Sequence, residues 1–399
     1  MSDENKKEKA HLEDEVAVLA SKKILFEAIE KKASDILIEP LFDSLQIRYK
    51  IDGIFYRVHQ LPLELHPRII THIKAISNLN VAEHRLPQEG RFRLKKLDGK
   101  DIDIRVSVIP STLGEKVALR IFDRENVELN LDKLGFDEVS LKILKKNLKR
   151  SWGIILICGP AGSGKTTTLY SCLKFIDSIE KNIITIEDPI EYDLYGINQV
   201  NIDEKVGLTF ASVLKSVLRQ DPDIILVGEM RDTETVEIAL RASLTGHLVL
   251  STLHTTSASA AIVRLKDMGA EPFLIASSLL CVCAQNLLRI LCDCKEHFET
   301  SEEIIDLFNS YGINIDKNTP LYQKKGCPNC NHTGYKGRKA IGEVLEISPS
   351  IREIINERIT ERELQEFALK EGLRTLKYNA LEEVKKGVTS LEEVFRVLE

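Results

Sequence analysis

Eight residues constrain this chain more than any others: Gly159-Pro160-Ala161-Gly162-Ser163-Gly164-Lys165-Thr166. They match G-x-x-x-x-G-K-[ST], and they stand between an apolar run at 154–158 and a helical stretch at 166–175. In that setting the glycines let backbone N–H groups curl around phosphate oxygens, and the helix N-terminus adds its positive dipole end. Lys165 then reaches the β- and γ-phosphates, and the Thr166 hydroxyl ligates Mg²⁺. Such a loop needs a strand before it and a helix after it. The chain supplies several copies of that pattern. Apolar runs at 154–158, 183–186, 224–227 and 248–252 alternate with helical stretches at 166–175, 210–218, 233–244 and 258–266. That alternation predicts an α/β unit with a parallel sheet covered by helices.

A phosphate loop also needs acidic partners on neighbouring strands. Residues 224–227 are four apolar residues, followed by Gly228 and Glu229. Ligands of open α/β sheets sit at that carboxyl edge, where Glu229 can polarise a water or hold Mg²⁺ through one. A second acidic set, Glu187, Asp188 and Glu191, follows the run at 183–186. Each set alone could equally be a helix cap or a solvated loop; their joint placement favours hydrolysis over passive binding. His247 and His254 flank the run at 248–253. His254 ends that strand on the same sheet edge, which suits a γ-phosphate sensor or relay.

Upstream, the hydrophobic period changes. Leu25, Ala28 and Ile29 share one helical face, and then Leu45, Ile47, Tyr49 and Ile51 alternate with polar residues. Asp52-Gly53 marks a hairpin turn, and the pattern recurs around Asp98-Gly99. Ile102, Ile104, Val106 and Val108 face inward there. Residues 21–125 are therefore expected to form a small α+β domain with an antiparallel sheet, after a frayed polar lead-in at 1–20 and before a linker at 126–140. The outward face carries Arg91, Arg93, Arg105 and Arg120. That is either a solvated sheet face or an anion-binding face.

The 399 residues allow two or three domains. Hydrophobic content of 43% and charged content of 29% are those of a soluble globular chain. Lys plus Arg is 55 against 61 Asp plus Glu, a net charge of −6 that argues against a nucleic-acid partner. The longest apolar stretch, 273–284, is too short to span a membrane, and the charged N-terminus is no signal peptide. Eight cysteines without a secretory signal argue against a disulfide framework. Helix starts are signalled late in the chain by Thr360 with Glu363 and by Thr389 with Glu392.

The motifs GPAGSGKTTTLY, ITIEDPIEY, LRQDPDIILVGEMRD and TGHLVLSTLHT, in that order, closely resemble the ATPases of type II secretion and type IV pilus assembly. The likeness extends to ASDILIEP, RYKIDG, RLPQEGRFR and DIRVS upstream and to CPNCNHTGYKGR downstream, roughly residues 21–345. The resemblance implies a PAS-like domain followed by a RecA-like ATPase domain at 141–399, with a cysteine element at 285–340 and a helical tail at 345–399. It implies a homohexamer with ATP between the two domains, driving a membrane-embedded platform protein from the cytoplasmic face of the inner membrane. Carried over, Gly159, Gly162, Gly164, Lys165, Thr166 and Thr167 contact the nucleotide. Glu187 is the Asp-box carboxylate, Glu229 the Walker B glutamate and His254 part of the His box. Arg91 and Arg105 match the family's phosphate-contacting arginines.

Cys292, Cys294, Cys327 and Cys330 match the family's four-cysteine element, which implies one tetrahedral Zn²⁺. The first pair is C-x-C where the family has C-x-x-C. Cys281 and Cys283 fall in an apolar run expected to be helical, and Cys158 and Cys172 are expected to be packing residues. Leu37 stands where the family usually has His, and Asn286 where it usually has Arg. The chain starts without the additional N-terminal domain through which many members dock to the membrane complex, so it is either a short member or trimmed. Retraction ATPases generally lack the cysteine element, which favours assembly over a retraction-type ATPase. A P-loop nucleic-acid motor and a non-hydrolysing nucleotide switch are the remaining alternatives.

Overall fold

The computed structural model describes residues 3–95, 99, 101–122, 129–177, 179–357 and 360–399, with side chains from residue 14 onward. The chain separates into two compact units, Met1–Val127 and Glu128–Glu399.

The first unit is one antiparallel sheet with helices against it. Its elements are α1 (Asp3–Glu30), β1 (Asp35–Pro40), β2 (Ser44–Ile51), β3 (Ile54–Pro62), α2 (His66–Ile76), β4 (Gln88–Lys95), β5 (Asp101–Ser111) and β6 (Gly114–Phe122). The strand order is β3-β2-β1-β6-β5-β4. The period-two pattern holds: Leu45, Ile47 and Tyr49 are buried, as are Ile102, Ile104, Val106 and Val108. They pack with Ile24, Leu25 and Ala28 of α1 and Ile69, Ile70 and Ile73 of α2. The buried Tyr49 hydroxyl donates to the Ile24 carbonyl at 2.8 Å, pinning sheet to helix. Asp52 (φ +48°) and Gly53 (φ +87°) take the left-handed geometry of a tight hairpin. In the second hairpin Gly99 also has positive φ; Asp98 lies outside the described residues.

One expectation is corrected here. The polar stretch predicted to be a frayed lead-in belongs to α1, which begins at Asp3. Its Lys and Glu residues are good helix formers, and extension from a buried nucleus at Ala17, Ile24 and Leu25 adds a hydrogen bond per residue.

The second unit opens inside the stretch expected to be linker: Leu131 is already buried, and α3 (Glu138–Leu148) starts under an Asp137 cap. Then come β7 (Gly153–Cys158), α4 (Lys165–Ile176), β8 (Ile183–Glu187), β9 (Asn198–Asn201), α5 (Phe210–Val217), β10 (Ile224–Val227), α6 (Thr233–Leu244), β11 (Leu248–Leu253), α7 (Ala258–Asp267), α8 (Pro272–Ser278) and β12 (Leu279–Leu291). A small hairpin, β13 (Glu296–Phe298) and β14 (Leu321–Gln323), brackets α9 (Glu302–Ser310). The chain returns through β15 (Tyr335–Glu346) and ends in α10 (Pro349–Asn356), α11 (Glu361–Lys370), α12 (Leu376–Lys385) and α13 (Leu391–Leu398).

Seven strands form the main sheet in the order β15-β12-β7-β11-β10-β8-β9. All pairs are parallel except β12 with β15. Alternate side chains of each strand feed two layers. Ile154, Leu156, Ile225 and Val249 face α5, α6 and α7. Ile155, Ile157, Leu226 and Leu250 face α3 and α4. Burial on both faces explains why these strands are continuous apolar runs.

Two further expectations change. The run bearing Cys281 and Cys283 is strand β12, between β7 and β15, and not a helix. An unbroken apolar run fits a doubly buried strand as well as a core helix, and periodicity does not separate them. The last helix is capped by Ser390, one residue later than expected. The Thr389 hydroxyl is spent on the Arg289 carbonyl at 2.8 Å. The Thr360–Glu363 capping box forms as expected.

Candidate nucleotide site

The phosphate loop connects β7 to α4. Gly164 is the helix N-cap at φ +90° and supplies no side-chain cap, so the first N–H groups of α4 stay open toward a ligand. Gly159, at φ +150°, leaves β7 so close to β12 that a Cβ would lie 2.3 Å from the Gln285 carbonyl oxygen. Lys165 is folded onto its own loop: Nζ donates to the Gly159 and Pro160 carbonyls at 2.9 and 3.0 Å. Burial pulls its pKa below the usual lysine range, against the attraction of Glu229 and Glu191.

A cleft of about 220 Å³ opens at the carboxyl edge of the sheet, lined by Lys165, Thr166, Glu187, Glu191, Glu229 and His254 among others. β10 delivers Glu229 and β11 delivers His254. His254 Nε2 lies 3.5 Å from Glu229 Oε2. Arg231 holds the other Glu229 oxygen at 2.6 Å and reaches Asp188 at 3.5 Å, tying the two acidic sets together. His247, the other flanking histidine, packs against the end of α6, with Nδ1 2.8 Å from the Ala242 carbonyl oxygen.

The second acidic set, which begins at the end of β8, also lines this cleft. Glu187 is buried, and three donors surround it. Thr185 and Gln199 donate to Oε1 at 2.6 and 3.0 Å, and the Tyr170 hydroxyl donates to Oε2. Glu191, four residues on, stands closer to the phosphate loop: its Oε1 accepts from the Thr166 hydroxyl at 3.3 Å. The family resemblance singled out Glu187; the loop brings Glu191, of the same acidic set, to the Thr166 hydroxyl.

The first unit's arginines form a cross-strand row. Arg91 pairs with Arg105 across β4 and β5, and Arg105 with Arg120 across β5 and β6. Arg120 is neutralised by Asp35 at 2.9 Å and Arg93 by Asp103 at 3.1 Å. Arg105 lies over the Phe122 ring at 4.7 Å. Among the described residues, Arg91 and Arg105 make no ion pair with a carboxylate.

Cys292, Cys294, Cys327 and Cys330 converge. Their sulfurs all lie within 4.8 Å of one another, with Cys292–Cys327 at 3.8 Å, Cys294–Cys330 at 3.9 Å and Cys327–Cys330 at 3.8 Å. Four thiolates at about 2.3 Å from one tetrahedral ion stand roughly 3.8 Å apart, so the donor set fits zinc despite the shortened C-x-C. Burial disfavours the Cys330 thiolate, but N–H groups of Cys327 and Gly334 donate to its sulfur and bring its pKa down to about 7. The other four cysteines are buried, and burial pushes Cys158 up to about 12. Asn286, where an arginine was expected, turns its side chain to the Leu287 N–H at 3.3 Å.

The family described as Type II/IV secretion system protein matches residues 10–396. The type IV pilus assembly ATPase PilB of Myxococcus xanthus is 45% identical over 376 residues, 93% of this chain and 66% of that protein. The type II secretion system ATPase E of Vibrio cholerae is 45% identical over 377 residues, 94% of this chain and 74% of that protein. The chain thus spans about two thirds to three quarters of the length of these relatives. Among solved structures, the ATPase DotB of Legionella pneumophila superposes with a TM-score of 0.68 at 19% identity, covering 95% of each chain. The pilus retraction motor PilT with bound ADP gives 0.60 at 27% identity, covering 94% of this chain and 95% of that one. The fold is therefore RecA-like in the second unit, preceded by a small α+β unit with a six-stranded antiparallel sheet.

Proposed function

This chain belongs to the Type II/IV secretion system protein family and is an ATPase; from that premise we propose that it works as a homohexamer powering assembly of a pilus or pseudopilus. The observation that carries the reading is the meeting of Lys165, Thr166, Glu191, Glu229 and His254 at one sheet edge. In the proposed cycle Lys165 exchanges the Gly159 and Pro160 carbonyls for the β- and γ-phosphates. Gly162, Gly164 and Thr167 present backbone to the phosphates. Thr166 would hold the magnesium that accompanies ATP, and that ion would supply charge neutralisation at the transferred phosphoryl group. Glu229 and Glu191 are the carboxylates that orient water and metal-bound water, His254 senses the γ-phosphate through Glu229, and Glu187 positions the loop. Arg91 and Arg105 are the exposed cations that would meet phosphate in the assembled particle.

The output is mechanical work on a membrane-embedded platform protein at the cytoplasmic face. Among the described residues no helix is long and apolar enough to cross a membrane. The four-thiol cluster, with zinc as its ion, and the 45% identity to a pilus assembly ATPase, against 27% to a retraction motor, support assembly over retraction.

Phosphate release from Mg-ATP by purified protein, with sedimentation in the presence of a non-hydrolysable analogue, tests the reading. Hydrolysis by a hexamer, lowered about 10²–10⁴-fold by Glu229→Gln, is expected. A wild-type hexamer without turnover overturns the motor assignment, and a Glu229→Gln variant at the wild-type rate overturns the role given to that carboxylate.

A further inference from the structure

Strand β12 reaches the phosphate loop where its apolar stretch at 279–284 ends in two adjacent amides, Gln285 and Asn286. Ala284 is the last residue of β12 paired with β7, opposite Cys158. The next residue, Gln285, therefore sits where β7 gives way to the loop. It is 1% exposed. Its Nε2 donates to the Ser163 carbonyl at 2.8 Å, and its Oε1 accepts from the Thr168 hydroxyl at 2.7 Å. Its backbone carbonyl lies against Gly159, and its Nε2 against Gly164. One residue thus touches the start of the loop through its backbone, and the loop's last turn and the first turn of α4 through its side-chain amide.

We propose that Gln285 is a positioning residue for ATP hydrolysis: its amide holds the segment from Ser163 to Thr168 so that Lys165 and Thr166 meet the nucleotide in register. The proposal rests on the ATPase reading. The chemistry selects an amide. The two partners, a carbonyl and a hydroxyl, need one donor and one acceptor in a dry place. Methionine has similar length and bonds neither. Glutamate keeps an acceptor for Thr168 but turns an oxygen toward the Ser163 carbonyl and adds negative charge behind the phosphates. Two of the motif's glycines also gain a second reason: a Cβ at Gly159 or Gly164 would meet Gln285 at 2.3 or 2.9 Å. The residues that position reacting groups act through small displacements, and a misplacement of about 1 Å can cost on the order of 10²-fold in rate.

The test is steady-state ATP hydrolysis by full-length wild type, Gln285→Met, Thr168→Val and the double variant, each with its thermal midpoint. Leu381→Ala, in the buried core of the helical tail, serves as a control for general destabilisation. The proposal expects Gln285→Met to lower kcat by on the order of 10²-fold with a smaller change in KM. It expects the double variant to lose no more than Gln285→Met alone, because both changes break one bridge. Leu381→Ala should keep kcat at temperatures where it is folded. If folded Gln285→Met turns over at the wild-type rate, or if Leu381→Ala loses kcat equally at a matched midpoint, the proposal is overturned. Failure of the wild type to hydrolyse ATP would instead overturn the ATPase reading.

Discussion

The Thr166 hydroxyl donates to the Glu191 carboxylate at 3.3 Å, in the cleft that Glu229 also lines. Glu187 has no such contact and is held by Thr185, Gln199 and Tyr170. The two carboxylates should therefore fail in different ways when neutralised. Glu191→Gln should lower kcat about 10²–10⁴-fold, the range for a lost general base or water-orienting group, with little change in melting. Glu187→Gln should mainly cost stability, about 1–3 kcal/mol, because an amide cannot accept from all three donors. Paired measurements of turnover and thermal midpoint separate them. Equal kinetic losses from both, with both fully folded, would return Glu187 to the chemistry.

Arg91 and Arg105 face each other across β4 and β5. Like charges directly opposite on a sheet are destabilising, and their neighbours Arg93 and Arg120 are neutralised by Asp103 and Asp35. With no carboxylate partner among the described residues, the pair is expected to serve an anion. Arg91→Ala and Arg105→Ala should each reduce ATP turnover by about 10³-fold or more, the scale of a lost arginine finger. Stability should stay within about 0.5 kcal/mol of wild type or rise. Arg93→Ala and Arg120→Ala, measured beside them, should retain turnover. A uniform response across all four would mark the face as solvated surface.

Much of this architecture was legible because its signals are local. The loop at Gly159–Thr166 needs a strand before it and a helix after it, and β7 and α4 occupy those places. The alternation of Ile102, Ile104, Val106 and Val108 predicts their shared burial. The misses arise where a distant partner decides. Nothing near Thr389 announces that the Arg289 carbonyl will take its hydroxyl. Nothing within the apolar run at 279–284 says that β7 and β15 will flank it. Glu191 was visible as part of an acidic set, but its contact with Thr166 depends on how the loop after β8 folds back. Gln285 had a signal, the amide pair Gln285-Asn286 that ends an apolar run, but its partners belong to the phosphate loop more than a hundred residues earlier.

The eight cysteines should divide into two groups of four by reactivity. Cys158, Cys172, Cys281 and Cys283 are buried, and burial raises the pKa of each; a thiol kept protonated is a poor nucleophile. Cys292, Cys294, Cys327 and Cys330 converge as a zinc donor set. Protein purified without chelator is expected to carry about one zinc per chain and to expose few reactive thiols. Chelation should release the ion and four thiols, and only denaturant should expose the other four. Loss of metal should also loosen residues 285–340, since a structural zinc contributes on the order of 10 kcal/mol to folding its site. Four thiols free at the outset with substoichiometric zinc would sink the metal assignment.

Glu393 is fully buried on α13 and grips Arg289 of β12 through Nε and Nη2 at 3.0 and 2.7 Å. It also accepts from Arg396. Burial alone would raise its pKa, but the hydrogen bonds from Arg396 and Arg289 outweigh burial and hold it below the usual range. A carboxyl lowered in the folded state contributes stability above its unfolded value, about 4.3. That contribution disappears as pH falls through the lower folded value. Glu393→Gln leaves the Arg289 guanidinium buried without its counter-charge, which should cost about 3–5 kcal/mol at neutral pH. The chain's single tryptophan, Trp152, lies in the same unit and is half-exposed, so its fluorescence can follow urea unfolding of that unit. The variant should unfold at lower urea at pH 7, and its midpoint should fall less than that of wild type as pH drops below 4.3. An unchanged midpoint at pH 7 would show that the tail does not depend on this pair.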